Sequence, residues 1–177
     1  QNVMVAKIQE RAGAEVLFDT VNKLSKLSKF QYAYPELITK RKFKNINPLQ
    51  WHLIPTTIRG VDVKADASVE KAWSKSTGKD VVIAIIDDGV DIKHPEFKDK
   101  FVYPYDATRR SNNPNPKLKD DNHGTSVAGV AVAAGVKGSG VAPDAKLMPI
   151  RLASNLGSIE EVEAFAWALT NGADIIS

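Results

Sequence analysis

From about residue 78 onward, hydrophobic and polar positions alternate in blocks, not residue by residue. Residues 81–86 and 146–151 form near-continuous apolar runs, the pattern of strands buried on both faces. Between and after them, residues 123–134 and 158–170 predict helices, and residues 174–176 a third strand. Ser158 ahead of Glu160 and Glu161 makes a good helix start, with acids near the positive end of the dipole, and Asn171-Gly172 makes a stop. Strands alternating with helices predict a parallel sheet covered on both sides.

The N-terminal part follows another rhythm. Residues 3–8 alternate weakly, as a strand does, and Val16, Leu17, Val21, Leu24 and Leu27 share one face of a helix over 14–27, with Lys23, Lys26 and Lys29 outside. Residues 30–34 predict a strand that Pro35 ends. These elements suggest a small α+β unit over residues 1–43, followed by an α/β unit over 44–177. The stretch Thr39-Lys40-Arg41-Lys42-Phe43-Lys44-Asn45 is basic, without apolar periodicity, and is expected to be a linker. Residues 66–73 suggest a lead-in with a short helix, and Asn112-Asn113-Pro114-Asn115-Pro116 a turn-rich loop.

With 177 residues and 43% hydrophobic content, the chain can bury a core for one domain and a small companion. No apolar run is long enough for a membrane span, and no membrane partner is expected. The lack of cysteine excludes disulfides and thiolate metal sites. Charge is uneven: residues 1–60 carry ten Lys/Arg against four Asp/Glu, the remainder fourteen against seventeen. A solvated basic helix explains this more simply than nucleic-acid binding, which is not expected. Docking of a basic unit onto an acidic face is a third explanation.

Chemistry in an open parallel sheet collects at the carboxyl ends of its strands. Asp87 stands there, directly after Val81-Val82-Ile83-Ala84-Ile85-Ile86. Taken alone, Asp87-Asp88-Gly89 is equally a turn leaving a strand. His123 opens the next helix, and Gly124, Thr125, Ala128 and Gly129 are small enough to let that helix lie deep against the sheet. A strand-end acid beside a helix-start histidine is the acid–base half of a nucleophilic triad. His52 and His94 lack such surroundings and are expected to be structural.

Ile86-Asp87-Asp88-Gly89-Val90 with His94-Pro95-Glu96-Phe97 resembles the aspartate motif of subtilisin-like serine proteases. His123-Gly124-Thr125-Ser126-Val127-Ala128-Gly129 resembles their histidine motif. Gly140-Val141-Ala142-Pro143-Asp144-Ala145 and Asn171-Gly172-Ala173-Asp174-Ile175-Ile176-Ser177 continue the match in order. The doubled aspartate and Pro48-Leu49-Gln50-Trp51-His52-Leu53 resemble the kexin/furin branch and its bacterial relatives. The resemblance covers residues 47–177. It implies an α/β fold, the N-terminal half of a doubly wound, mostly parallel subtilisin-like sheet, preceded by the remnant of an α+β propeptide. It also implies a serine endopeptidase cutting after Arg or Lys, with Asp87 orienting the imidazole and His123 as base and then acid. The family's nucleophilic serine and oxyanion asparagine fall outside this chain; Ser126 and Ser177 do not match the nucleophile's context. The expected partners are therefore a C-terminal fragment of the same protease carrying both, and a peptide or protein substrate.

The same resemblance assigns Asp88, Asp120 and Glu163 to the recognition of basic substrate residues, although Glu160, Glu161 and Glu163 also suit a solvated helix face. It makes Lys40-Arg41-Lys42 a maturation site, against the plain basic linker, and suggests a secreted or periplasmic protein. Relatives bind calcium, and Asp106, Asn113 and Asn115 match an oxygen-rich loop there, so structural Ca²⁺ is expected. Glu96 stands at a second calcium position, but its companion loop, residues 135–140, is short and lacks the usual asparagine, so no ion is expected there. Two rivals remain. One is a catalytically incomplete, subtilase-like binding scaffold. The other is a receiver domain holding Mg²⁺ on paired acids, which needs a third strand-end acid where residues 146–151 end in Arg.

Overall fold

The computed structural model describes residues 14–29, 33, 46–153 and 157–177. The expected strands at 3–8 and 30–34 (Ala33 apart) and the basic tract 39–45 lie outside the described residues. The chain divides into two compact units, Gln1–Lys42 and Phe43–Ser177.

In the first unit, α1 spans Ala14–Ser25. Thr20 donates its hydroxyl to the Val16 carbonyl one turn back, at 2.7 Å.

The second unit opens with a hairpin absent from the expectation. β1 (Thr56–Ile58) pairs antiparallel with β2 (Val61–Val63). Arg59 and Gly60 make the turn, both at positive φ (51° and 79°), which matches the twist that a two-residue hairpin needs. Helix α2 (Val69–Trp73) follows and buries Val69 and Trp73 with Leu53.

The main sheet has four parallel strands in the order β4-β5-β3-β6. These are β3 (Val82–Asp87), β4 (Tyr105–Asp106), β5 (Lys146–Arg151) and β6 (Ile175–Ile176). A side-chain period of two splits each strand between two cores. Ile83, Ile85 and Leu147 pack with Ala128 and Val132 of α3 (His123–Val132) on one face. Ala84, Met148 and Ile150 pack with Ala164 and Ala168 of α4 (Ile159–Thr170) on the other. Helices on both faces of a parallel sheet are the expected α/β arrangement. Strands and helices fall where the apolar blocks place them, within one or two residues at most ends.

The helices are built differently. Ser158 caps α4, its hydroxyl accepting from the Glu161 N–H at 3.2 Å. The Asn122 side chain makes no such bond at the start of α3. Gly124, Ala128 and Val132 face inward four residues apart, so small side chains bring α3 close to the sheet.

Candidate active site

Asp87 ends β3 on the face that Ile83 and Ile85 turn towards α3. The same alternation that buries two isoleucines therefore aims the carboxylate at the start of that helix. His123 is the first residue of α3, and its Nδ1–H donates to Asp87 Oδ2 at 2.8 Å and Oδ1 at 3.0 Å. A carboxylate at ordinary pH only accepts, so the proton belongs on Nδ1 and Nε2 keeps its lone pair. The Asp87 side chain is 17% exposed and that of His123 74%. Nε2 bonds no described residue.

Asp88 supplies the cap that Asn122 does not. Its Oδ2 accepts from the His123 N–H at 3.0 Å and its Oδ1 from the Gly124 N–H at 2.8 Å. A carboxylate at the positive end of the helix dipole thus moors α3 to the strand that carries Asp87. The approach is tight enough to require glycine: a Cβ on Gly124 would lie 2.5 Å from the Gly89 carbonyl oxygen and 2.8 Å from Asp87 Cβ. Gly89 itself, at φ 136°, passes against the backbone of Pro114 and Asn115.

A second group at the strand ends went unrecognised in the sequence. Arg151, the last residue of β5, is in register with Asp87 and buried. Its Nη2 donates to Asp121 Oδ2 at 3.1 Å, and its Nη1 lies 3.6 Å from Asp106 Oδ2. Asp121 Oδ2 also accepts the N–H groups of Lys117 and Leu118, both at 2.9 Å. Those two backbone bonds lead in holding the Asp121 carboxyl below its usual range, with Arg151 adding to them against partial desolvation. A strand ending in Arg, downstream of paired acids that stand just before a histidine, was the available signal.

The other expected residues are dispersed. Asp120 is exposed, and its carboxylate bonds no described residue. Glu163, on α4, takes a two-pronged contact from Arg110, with Nη2 at 2.6 Å and Nε at 3.1 Å. Asp106 is fully buried and accepts from the Arg109 N–H besides facing Arg151. Asn113 Oδ1 accepts from Asn115 through both its backbone and side-chain N–H, while Asn115 Oδ1 accepts from the Ile92 N–H. As placed, these three offer calcium no set of free oxygens, and a guanidinium already faces the one anionic donor. They do not fit the ion in this arrangement. Among the described residues no three His, Asp or Glu side chains could hold a metal.

Glu96, buried in a 3₁₀ turn over Pro95–Phe97, has a different use. Its Oε2 accepts from Gly135 and Val136, each at 2.9 Å, and its Oε1 from Lys137 at 2.5 Å and Gly138 at 3.1 Å. The loop turns four N–H groups inward, which suits an anion and repels a cation. His94 caps the same turn, Nδ1 accepting from the Glu96 N–H at 3.3 Å. Ser126 donates to the Asn122 carbonyl, and Ser177 extends β6, so neither bonds His123.

Comparison with known proteins identifies relatives and a family. A calcium-dependent protease of Trichormus variabilis is 50% identical over 164 residues, covering 91% of this chain and 25% of its own length. Neuroendocrine convertase 2 of Drosophila melanogaster is 40% identical over 128 residues, covering 66% of this chain and 19% of that protein. The chain therefore spans a quarter or less of the curated relatives it matches here. Among solved structures, the Aeromonas sobria serine protease in complex with its chaperone superposes with a TM-score of 0.58 at 26% identity, over 74% of this chain and 24% of that one. The model of the subtilase family of peptidases matches residues 78–177, which hold both Asp87 and His123, and the chain belongs to that family.

Proposed function

We propose that this chain carries the acid–base half of a serine endopeptidase site. The observation that carries the reading is the 2.8 Å bond from His123 Nδ1 to Asp87 at the lip of the sheet, with Nε2 left open. In this reading Nε2 takes the proton of a serine hydroxyl as that oxygen attacks a peptide carbonyl. Asp87 stabilises the imidazolium that forms, and His123 then returns the proton to the leaving amine. The serine and an oxyanion donor come from a further segment of the protease, continuous with this chain or separate from it.

Two surfaces support a completing segment. Ile159, Val162, Phe165 and Leu169 line one exposed stripe of α4, with Ile159 70% and Leu169 69% exposed. Among the described residues β6 bonds β3 on one side only, so its other edge can take another strand.

A preference for Arg or Lys follows from the kexin-like resemblance, with Asp88 at the backbone of His123, Asp120 exposed and Glu163 available only in competition with Arg110. Charge-assisted bonds in a partly dry groove are strong enough to select a basic side chain. Lys40-Arg41-Lys42 would be cut in maturation, residues 1–43 acting as propeptide. A calcium requirement like that in the Trichormus relative's name would rest on oxygens other than those of Asp106, Asn113 and Asn115 as they stand.

Fluorophosphonate labelling resolved by mass tests the reading. The label is expected on a serine of the completing segment, outside residues 1–177, and it is expected to vanish in His123→Ala while the fold is kept. Labelling and turnover undiminished in His123→Ala would overturn it, and a wild-type protein that takes no label would favour the binding scaffold.

A further inference from the structure

We infer that Arg151 is a positioning residue for His123, acting through Asp121. The inference rests on the reading of His123 as the base and adds a residue to that site.

The imidazole is 74% exposed, so packing does little to hold it. Its orientation depends on the bond to Asp87 and on where the backbone delivers residue 123. Asp88 fixes that backbone from the sheet side through two N–H groups. The chain entering residue 123 needs a second anchor, and the turn over residues 117–121 supplies it. Asp121 Oδ2 closes this turn on the N–H groups of Lys117 and Leu118, while the Asp121 N–H returns to the Leu118 carbonyl at 3.2 Å. Asn122 and His123 follow at once.

What holds the turn to the sheet is Arg151. Its side chain is 4% exposed and shares the face of Leu147, the face that α3 covers. A guanidinium there is costly unless paired, and Asp121 pairs it at 3.1 Å. Asp106, fully buried and in register with Arg151 on β4, holds the other nitrogen at 3.6 Å. Arg151 thereby ties β4, β5 and the entry turn of α3 together beside Asp87. Its Nε and Asp106 Oδ2 make no hydrogen bond although buried, so Asp121 is the better-made half of the cluster. A pair needed for stability alone could be replaced by apolar side chains at little cost. One that orients a base could not.

The test uses Asp121→Asn and Arg151→Lys, singly and together. In this chain the readout is the strongly deshielded proton of His123 Nδ1–H, followed by NMR. In the chain supplied with its completing segment, the readout is the split between kcat and KM. Each single variant is expected to weaken or broaden the Nδ1–H signal and to lower kcat by about 10- to 100-fold at nearly constant KM. The double variant is expected to fall little further than the worse single one. Should Arg151→Lys fail to fold, Asp121→Asn, which keeps the shape of the turn, carries both readouts alone. An unchanged Nδ1–H signal and kcat, with or without a lower melting temperature, would overturn the inference, as would a loss confined to KM. His123→Ala separates the two ideas. If it stays active, the endopeptidase reading fails; if it is dead while Asp121→Asn is fully active, only the role of Arg151 fails.

Discussion

Replacing Glu96 by Gln probes the loop that follows α3. The carboxylate receives four backbone N–H groups, two on each oxygen, and only 6% of the residue is exposed. Glutamine keeps the shape and one carbonyl oxygen, which can still accept two of the four. Its NH₂ group meets the other two donors head-on and leaves them unpaired. A hydrogen bond to a charged group contributes about 1.5–3 kcal/mol, and an unpaired buried donor costs about 1–3 kcal/mol. The loop is only partly buried, so water recovers some of this, and the expected loss of stability is about 2–4 kcal/mol. Urea unfolding measures it, and hydrogen exchange at residues 135–138 locates it.

The same carboxyl gives the pH dependence. Burial pushes Glu96 up, but the four N–H bonds together outweigh burial and hold it below its ordinary value of 4.5. A carboxyl depressed on folding stabilises the protein fully above its ordinary value, and that contribution is lost as pH falls through the lower, folded value. The gap between wild type and Glu96→Gln is therefore expected to be full at neutral pH and to close on acidification below 4.5. A difference under about 0.5 kcal/mol at neutral pH, or one that does not narrow at all as pH falls below 4.5 towards acid unfolding, would refute this account of the loop.

Other predictions concern α3 and the metal. Gly124→Ala drives a methyl into the Gly89 carbonyl and is expected to cost about 1–3 kcal/mol by thermal melting. Gly129→Ala, with nothing within 4 Å, is the control and should be neutral or slightly stabilising; equal stability of the two variants would remove the close-approach argument. Asp88→Asn is expected to lose about 1 kcal/mol through the weakened cap and to relax the preference for Lys or Arg next to the cleavage residue. A stability loss with an identical substrate profile would leave Asp88 a cap and nothing more. EDTA is expected to leave the melting temperature of this chain unchanged; a drop that calcium reverses would show that the donors rearrange into a site.

The main sheet was legible because its strands are apolar on both faces and its helices begin and end on clear residues. Asp87 and His123 were legible for the same reason: one follows an uninterrupted run, the other precedes a string of small residues. The hairpin of β1 and β2 was not, since three-residue strands flank Arg59-Gly60 where no long alternation announces them. β4 has two residues, too few for any period, and takes its place from its pairing with Ile150 and Arg151. The capping by Asp88 was hidden because the donors lie 35 and 36 residues away. Arg151 was hidden because sequence does not reveal that a strand-end arginine is buried. Glu96 stood in the expected place, but only the direction of the loop amides shows that it serves as an anion.

A ten-residue helix holding two glycines and three valines, with no side-chain cap of its own, has little reason to form early in folding. Both of its ends depend on acids delivered from earlier in the chain: Asp88 grips the first turn, and Glu96 gathers the segment beyond the last. The order of assembly follows. Strand and 3₁₀ turn are expected to be in place before the histidine has an address, so the contact between His123 and Asp87 should be among the last to form and the first to be lost.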